Sequence, residues 1–285
     1  MKYIISYSIL LLVGTLFFVG CAESRYDLTE PQEVSIHEDG IKNRLSDKFH
    51  GQLIREDNWN LFACAQCHGA NYAGGTVGVT CLKCHSQDMG PEACNTCHGD
   101  FADPSNIAPP QGTNNETSTS DYAVGAHQVH LYGIQIAENV ACSECHHVPN
   151  SFTAEGHIDE AGSRAEVIFG QFADLGDSVA VYDFESLTCQ NTYCHGNFEF
   201  IAASGVPIVG NNFAPNWTIN DGSQAKCGTC HGELDEEGEL ITPQPMGHPG
   251  SFTLTQCWNC HPRVVDAQGN IIDKTLHING EKEIF

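Results

Sequence analysis

The sequence predicts a chain of mostly irregular coil, with short helices and few short strands. Glycine and proline are frequent, with 28 and 12 copies among 285 residues, and both favour turns over long elements. Seven cysteine pairs, each ending in histidine, leave roughly 38 residues per pair after the first twenty residues. That is too little protein per pair to build an ordinary apolar core, so bound groups must fill the interior.

In seven places the second cysteine of a pair is followed directly by histidine. The seven motifs are Cys64/Cys67-His68, Cys81/Cys84-His85, Cys94/Cys97-His98, Cys142/Cys145-His146, Cys189/Cys194-His195, Cys227/Cys230-His231 and Cys257/Cys260-His261. Two such thiols can add across the vinyl groups of one haem, while the adjoining imidazole binds its iron from one side. The motifs therefore predict seven covalently attached haem c groups, stacked as the core of the fold. They use fourteen of the fifteen cysteines.

Paired cysteines also bind zinc or form disulfides. Four thiolates complete a tetrahedral zinc site, so a histidine after every pair would have no role there. Disulfides within such short segments close very small loops and stabilise a fold little. The fifth motif is irregular, because four residues separate Cys189 from Cys194. A disulfide between these two cysteines is the alternative for that site.

The start of the chain has the layout of an export signal: one positive charge, then an apolar run over residues 4–20. The cysteine that follows resembles the lipobox of bacterial lipoproteins. Residues 1–20 are therefore predicted to be a signal peptide, Cys21 a lipid anchor and residues 21–32 a tether. Ala22 after the cysteine favours the outer membrane, facing the periplasm or the cell exterior. The alternatives are an uncleaved transmembrane helix and secretion without a lipid.

The net charge is strongly negative, since 36 acidic residues against 12 basic ones give −24. Such a surface repels nucleic acids and anionic membranes, which excludes nucleic-acid binding. It suits basic redox partners or cationic metal species, and it also keeps the protein soluble.

The motifs divide into two groups along the chain. Three lie between Cys64 and His98, and a stretch rich in Pro, Gly, Ser, Thr and Asn follows without apolar periodicity. The sequence therefore predicts an N-terminal trihaem module at residues 33–108, a linker at 109–121 and a C-terminal tetrahaem module at 122–285.

Each haem iron needs a second axial ligand, and the histidines outside the motifs are the candidates. They are His37, His50, His127, His130, His147, His157, His248 and His277. Eight candidates for seven irons leave one to spare, for which His37 or His50 is the choice.

Two arrangements support ligation by two histidines. His127 and His130 are three residues apart and face one way on a helical turn, so they can serve two neighbouring haems. His147 directly follows His146, so it cannot reach the opposite face of the same iron. It is placed instead to ligate an adjacent haem.

The chain resembles multihaem c-type cytochromes of metal-respiring bacteria, in particular the group that mixes Cys-x4-Cys-His with Cys-x2-Cys-His motifs. The resemblance covers nearly the whole chain after the signal peptide. It rests on Lys48-Phe49-His50-Gly51, Gly125-Ala126-His127 to Leu131, Tyr193-Cys194-His195-Gly196, Cys227-Gly228-Thr229-Cys230-His231-Gly232 and His277-Ile278-Asn279-Gly280. It implies an outer-membrane or extracellular electron carrier that delivers respiratory electrons to external acceptors such as metal oxides. Its partners would be other redox proteins in a conduit, or copies of itself in a filament.

Haem irons with two histidine ligands are saturated and pass electrons without binding substrate. The chain is therefore expected to be an electron carrier without catalytic residues, not an enzyme. The alternative is a multihaem reductase of a small anion with one open haem site. Such enzymes often use lysine as the proximal ligand, and none of the seven motifs ends in lysine. A third hypothesis is a docking lipoprotein whose haems serve as scaffold.

We expect Cys21→Ala to release the protein from the membrane fraction, because the substitution removes the thiol that carries the lipid. Cell fractionation followed by haem staining measures the distribution. Unchanged membrane association would refute the lipid anchor.

Overall fold

The computed structural model describes most of the chain after the predicted export signal. The described ranges are 36–158, 164–175 and 179–285. The predicted signal peptide at 1–20, the anchor Cys21 and the tether at 21–32 lie outside the described residues and stay predictions.

The described residues belong to two compact units. In the first, Met1–Gln52, residues 36–49 form successive turns that lead into a helix beginning at His50. The backbone N–H of His50 and its ring Nδ1 both bond to the carbonyl of Ile41, at 2.9 and 2.8 Å. The second unit, Leu53–Phe285, contains all seven motifs. The trihaem and tetrahaem modules predicted from the sequence divide the chain at another place and remain a prediction.

The helices are short, and several coincide with the cysteine motifs. They are α1 (His50–Glu56), α2 (Leu61–His68) and α3 (Cys94–Cys97), with a π-helical turn at Val129–Gly133 and 3₁₀ turns at Gly90–Glu92, Cys142–Glu144, Tyr193–His195, Ser223–Ala225, Leu254–Asn259 and Lys274–Leu276. The longest, α2, ends at Gly69, whose φ of 84° stops the helix directly after the histidine. None of the described helices is long and apolar enough to cross a membrane.

The strands of the described chain form three antiparallel hairpins. They are β1 (Val181–Asp183) with β2 (Thr188–Gln190), β3 (Glu199–Ile201) with β4 (Pro207–Val209), and β5 (Glu233–Leu234) with β6 (Leu240–Thr242). The turn between β5 and β6 is held by Asp235, whose carboxylate accepts the backbone N–H groups of Glu237 and Glu239. Each hairpin is separate, so no extended sheet organises the described part of the chain.

Apolar burial is thin. The core cluster of the described residues consists of Leu61, Tyr72 and Phe152, with Ile54 and Trp59 packed against it. No large side chain of the described residues is less than 2% exposed. The prediction of an irregular chain with short helices and few short strands is confirmed.

We expect the chain without haem to be largely unfolded, because this small apolar cluster cannot offset the conformational entropy of so many ordered residues. Residues 22–285, produced in the cytoplasm where haem is not attached, should give a coil-like circular dichroism spectrum and no cooperative thermal transition. The exported, haem-loaded protein is the control. A cooperative transition in the haem-free chain would contradict this expectation.

Candidate functional site

In most motifs the two cysteines and the histidine share one helical turn. In four of them the histidine N–H donates to the carbonyl of the first cysteine: His85–Cys81 at 3.0 Å, His98–Cys94 at 3.3 Å, His146–Cys142 at 2.9 Å and His261–Cys257 at 2.9 Å. The first motif lies within α2. Because residues three and four apart lie on one side of a turn, both thiols and the imidazole project together.

The fifth motif is built differently. Cys189 lies in β2, where its N–H bonds to the carbonyl of Pro215 at 3.1 Å. Cys194 lies in the following 3₁₀ turn, Tyr193–His195, and Asn191 with φ of 57° reverses the chain between them. The two extra residues therefore place the cysteines on separate elements, while the second cysteine stays beside its histidine.

The cysteines of the motifs are not buried to the same depth. In five motifs one thiol is exposed. The exposed cysteines are Cys67, Cys84, Cys94, Cys227 and Cys260. The half-buried ones are Cys64, Cys81, Cys97, Cys142, Cys145, Cys189, Cys194, Cys230 and Cys257.

Only in the fourth and fifth motifs are both thiols half-buried. The role of Cys67, Cys84 and Cys260 in haem attachment remains a prediction.

No disulfide joins any of the fourteen described cysteines, Cys189 and Cys194 included. Burial raises the pKa of Cys189 and Cys194 to about 12 and that of Cys97 to about 11.

Ten histidines are held by the same hydrogen bond between ring Nδ1 and a backbone carbonyl. The histidine–carbonyl pairs are His50–Ile41, His68–Val79, His98–Ile107, His127–Val124, His130–Ala126, His146–Glu166, His157–Phe152, His231–Pro243, His261–Glu283 and His277–Ile136. A carbonyl only accepts, so the bond keeps the proton on Nδ1 and leaves the lone pair on Nε2. Metal-bound histidines are commonly oriented in this way.

His248 differs from these ten. Its Nδ1 accepts from the side-chain Nε2 of Gln244 at 2.9 Å, while Gln244 Oε1 accepts the N–H of Phe252 at 3.0 Å. This arrangement leaves the ring proton of His248 on Nε2. Its ring is positioned by a side chain that must reorganise before Nε2 can bind a metal.

Four motif histidines each lie close to a histidine from outside the motifs. The pairs and their ring-centre distances are His146–His127 at 6.1 Å, His195–His130 at 6.1 Å, His231–His277 at 6.2 Å and His261–His248 at 6.4 Å. Two metal–imidazole bonds of about 2.0–2.1 Å in line, with the distance from each nitrogen to its ring centre, span about 6 Å. The spacing therefore fits one iron between each pair.

Burial also sets the protonation of these rings. It lowers the pKa of His127 and His195 to about 4, and it lowers the pKa of His130, His231 and His277 as well. The rings are therefore neutral at pH 7. A neutral imidazole is the form that ligates a metal.

The third motif has a different neighbour. Burial lowers the pKa of His98, and the nearby charges of His157 and then His146 lower it further. His37 and His147 are exposed to solvent, and their role as iron ligands remains a prediction, as does that of His50.

The fifth and sixth motifs are in backbone contact. Gly196, directly after the fifth motif, has φ of +94°, and a Cβ added to it would lie 2.2 Å from the carbonyl oxygen of Cys230. A larger residue would clash with that backbone, so glycine is required for the close approach. The Tyr193 hydroxyl accepts the N–H of Gly280 at 2.9 Å, which joins the fifth motif to the turn after His277.

Asn211 holds the loop of the sixth motif. Its side-chain Nδ2 lies within hydrogen-bond distance of the carbonyls of Gly228, Thr229 and Gly232, at 3.1, 3.0 and 3.0 Å. Its backbone N–H donates to the carbonyl of Cys230 at 2.9 Å. One side chain therefore fixes the backbone on both sides of the sixth histidine.

Sequence reasoning missed Asn211 and also Trp217, which contacts His127 and His130. Both lie between the fifth and sixth motifs in a stretch with no periodic pattern. A single tryptophan or asparagine in such a stretch carries no signal of the contacts it will make.

Residues 188–231 match the family model described as "Geobacter CxxxxCH...CXXCH motif". The matched segment contains both motif forms, the irregular fifth one and the regular sixth one. No curated protein and no solved structure matches the chain. The match supports a multihaem c-type cytochrome whose motifs bind haem c.

We expect Asn211→Ala to destabilise the protein by about 1–3 kcal/mol, because buried carbonyls of the sixth motif lose their donor. Denaturant unfolding followed by circular dichroism measures the change. Asn220→Ala is the matched control, since Asn220 makes a single exposed bond of 3.5 Å and should change stability by less than about 0.5 kcal/mol. Equal effects of the two substitutions would contradict the role of Asn211.

Proposed function

We propose that the chain is an electron carrier that relays electrons through seven covalently attached haem c groups. The family match, which covers the fifth and sixth motifs, supports haem-based electron transfer. The observation that carries the proposal is the set of four histidine pairs with ring centres 6.1–6.4 Å apart.

Each of these pairs would hold one haem iron between its two imidazoles. His127 would complete the fourth site, His130 the fifth, His277 the sixth and His248 the seventh. An iron held by two imidazoles would have no position open to a substrate. The pairing therefore favours a carrier over a reductase.

The second ligands of the first, second and third sites come from the other four histidines. His37, His50, His147 and His157 are the candidates, and the spare one is His37 or His50.

Haem c supplies reversible one-electron chemistry at iron when it is bound. The chain itself orients ten of the imidazoles through backbone carbonyls, keeps the buried rings neutral and holds the sites together. His127 and His130 lie on one turn and join the fourth site to the fifth. Gly196 joins the fifth to the sixth.

The proposed setting is the outer membrane, with the lipid on Cys21 as anchor and the haem-bearing chain on the periplasmic or the external side. The support is the sequence of residues 1–21 and the formal charge of −24. Such a surface suits basic redox partners and cationic metal species. The carrier would then deliver respiratory electrons to extracellular acceptors such as metal oxides, within a conduit or a filament.

We expect His277→Ala to convert one of the seven haems, the one bound by Cys227 and Cys230, from low spin to high spin, because its iron loses an axial ligand. Electron paramagnetic resonance measures the spin state, and mass spectrometry should still find seven haems because the thioether bonds remain. His277→Met is the matched control; it should stay low spin with a raised reduction potential.

Three outcomes would contradict the proposal. The first is His277→Ala protein without a new high-spin signal. The second is markedly fewer than seven haems per mature chain. The third is a clear high-spin signal in the intact wild-type protein, which would favour a reductase with an open iron.

A further inference from the structure

Trp217 lies against two of the histidines proposed as distal ligands. Its ring meets His127 edge-on, with centres 4.8 Å apart and an interplanar angle of 89°. It meets His130 at 5.6 Å and 32°. The two histidines face different motif histidines, His146 and His195. One indole therefore touches the ligand sets of two sites.

Two hydrogen bonds hold Trp217, one from its indole and one from its backbone. Its Nε1–H donates to the carbonyl of Tyr122 at 2.8 Å, and its backbone N–H donates to the carbonyl of Leu187 at 2.7 Å. Tyr122 lies just before the turn that carries His127, and Leu187 just before β2. Trp217 is therefore bonded both to the segment before His127 and to the segment before β2.

The indole of Trp217 packs directly against the backbone of Gly125. A Cβ at that position would lie 1.9 Å from Nε1 of Trp217, and the glycine has φ of +44°. No side chain fits there without displacing the indole. The close packing of Trp217 on residue 125 therefore fixes the backbone directly before His127.

The two residues before Trp217, Pro215 and Asn216, contact the fifth motif and the residue directly before it. The carbonyl of Pro215 accepts the N–H of Cys189 at 3.1 Å, and Asn216 pairs with Thr188 as an isolated β-bridge. Asn216 Nδ2 also donates to the carbonyl of Ser186 at 2.9 Å. Residues 215–217 consequently lie between a cysteine of the fifth motif and two distal histidines.

We infer that Trp217 is a positioning residue shared by the fourth and fifth sites, setting the ring planes of His127 and His130 relative to His146 and His195. This inference rests on the proposed axial pairs. The two pairs now have interplanar angles of 24° and 63°. The angle between axial imidazole planes governs the anisotropy of a low-spin ferric haem and contributes to its potential, so one side chain adjusts two haems together.

The test is the electron paramagnetic resonance spectrum of the haem-loaded protein. His127→Ala and His130→Ala first identify the two low-spin signals of the fourth and fifth sites, as those that each variant loses. Trp217→Leu should then shift both of these signals while the other five stay in place and mass spectrometry still finds seven haems. Trp217→Phe keeps a ring against both histidines without the donor to Tyr122, so its shifts should be smaller.

Phe184→Leu is the control, because Phe184 is a 39% exposed aromatic residue outside the seven motifs. It should leave the two assigned signals unchanged. A Trp217→Leu spectrum identical to wild type, a shift in only one of the two signals, or an equal shift in all seven would overturn the shared positioning role. If neither assigned signal is lost in His127→Ala and His130→Ala, the axial pairs themselves are wrong, and the role of Trp217 fails with them.

Discussion

The hydrogen bond from an imidazole Nδ1 to a backbone carbonyl is the interaction on which the rest of this structure depends. It recurs at ten histidines, and several of the accepting carbonyls come from other segments: Glu166 accepts from His146, Glu283 from His261 and Ile136 from His277. Each bond fixes the tautomer of its ring, and at five histidines of the cysteine motifs it also ties the motif to a loop. Because the apolar core is small, the same hydrogen bonds that orient the histidines also hold the loops of the fold together.

The chain relies on neutral polar contacts more than on charge pairing. Its net charge is −24, yet the described residues contain only two ion pairs between charged side chains, Lys48–Glu38 and Arg263–Glu283, both at 3.2 Å. Lys48–Glu38 is largely exposed and contributes little to stability, whereas Glu283 of the second pair is only 18% exposed. Buried rings are kept neutral instead, as the lowered pKa of His195 illustrates. The net charge of −24 attracts cationic partners and repels anionic ones.

The attachment motifs and the fold class could be predicted from the sequence, because both follow from local spacing. A cysteine, a second cysteine and a histidine within one turn need no tertiary information to come together. Which thiol of a motif is exposed, such as Cys67 or Cys260, depends on how distant loops cover the turn, and local spacing does not encode it. The distal ligands were predicted only as a set, since the motif histidine that faces His277 depends on a segment far along the chain. The contacts of Trp217 could not be predicted either, because they join its own segment to those of Tyr122 and Leu187. The hairpins β1 to β6 were not located either, because strands of two or three residues carry too short a pattern.

The carbonyl that orients His277 belongs to Ile136, 141 residues earlier, and the ring it faces follows Cys230. His127 and His146, in contrast, are near neighbours in the chain. The cysteine turns need only local spacing to form, so they do not depend on residues far along the chain. The ring that faces His231, in contrast, is supplied by a segment that must reach back to Ile136. A chain truncated before residue 277 would keep the sixth cysteine turn and lose the imidazole opposite it.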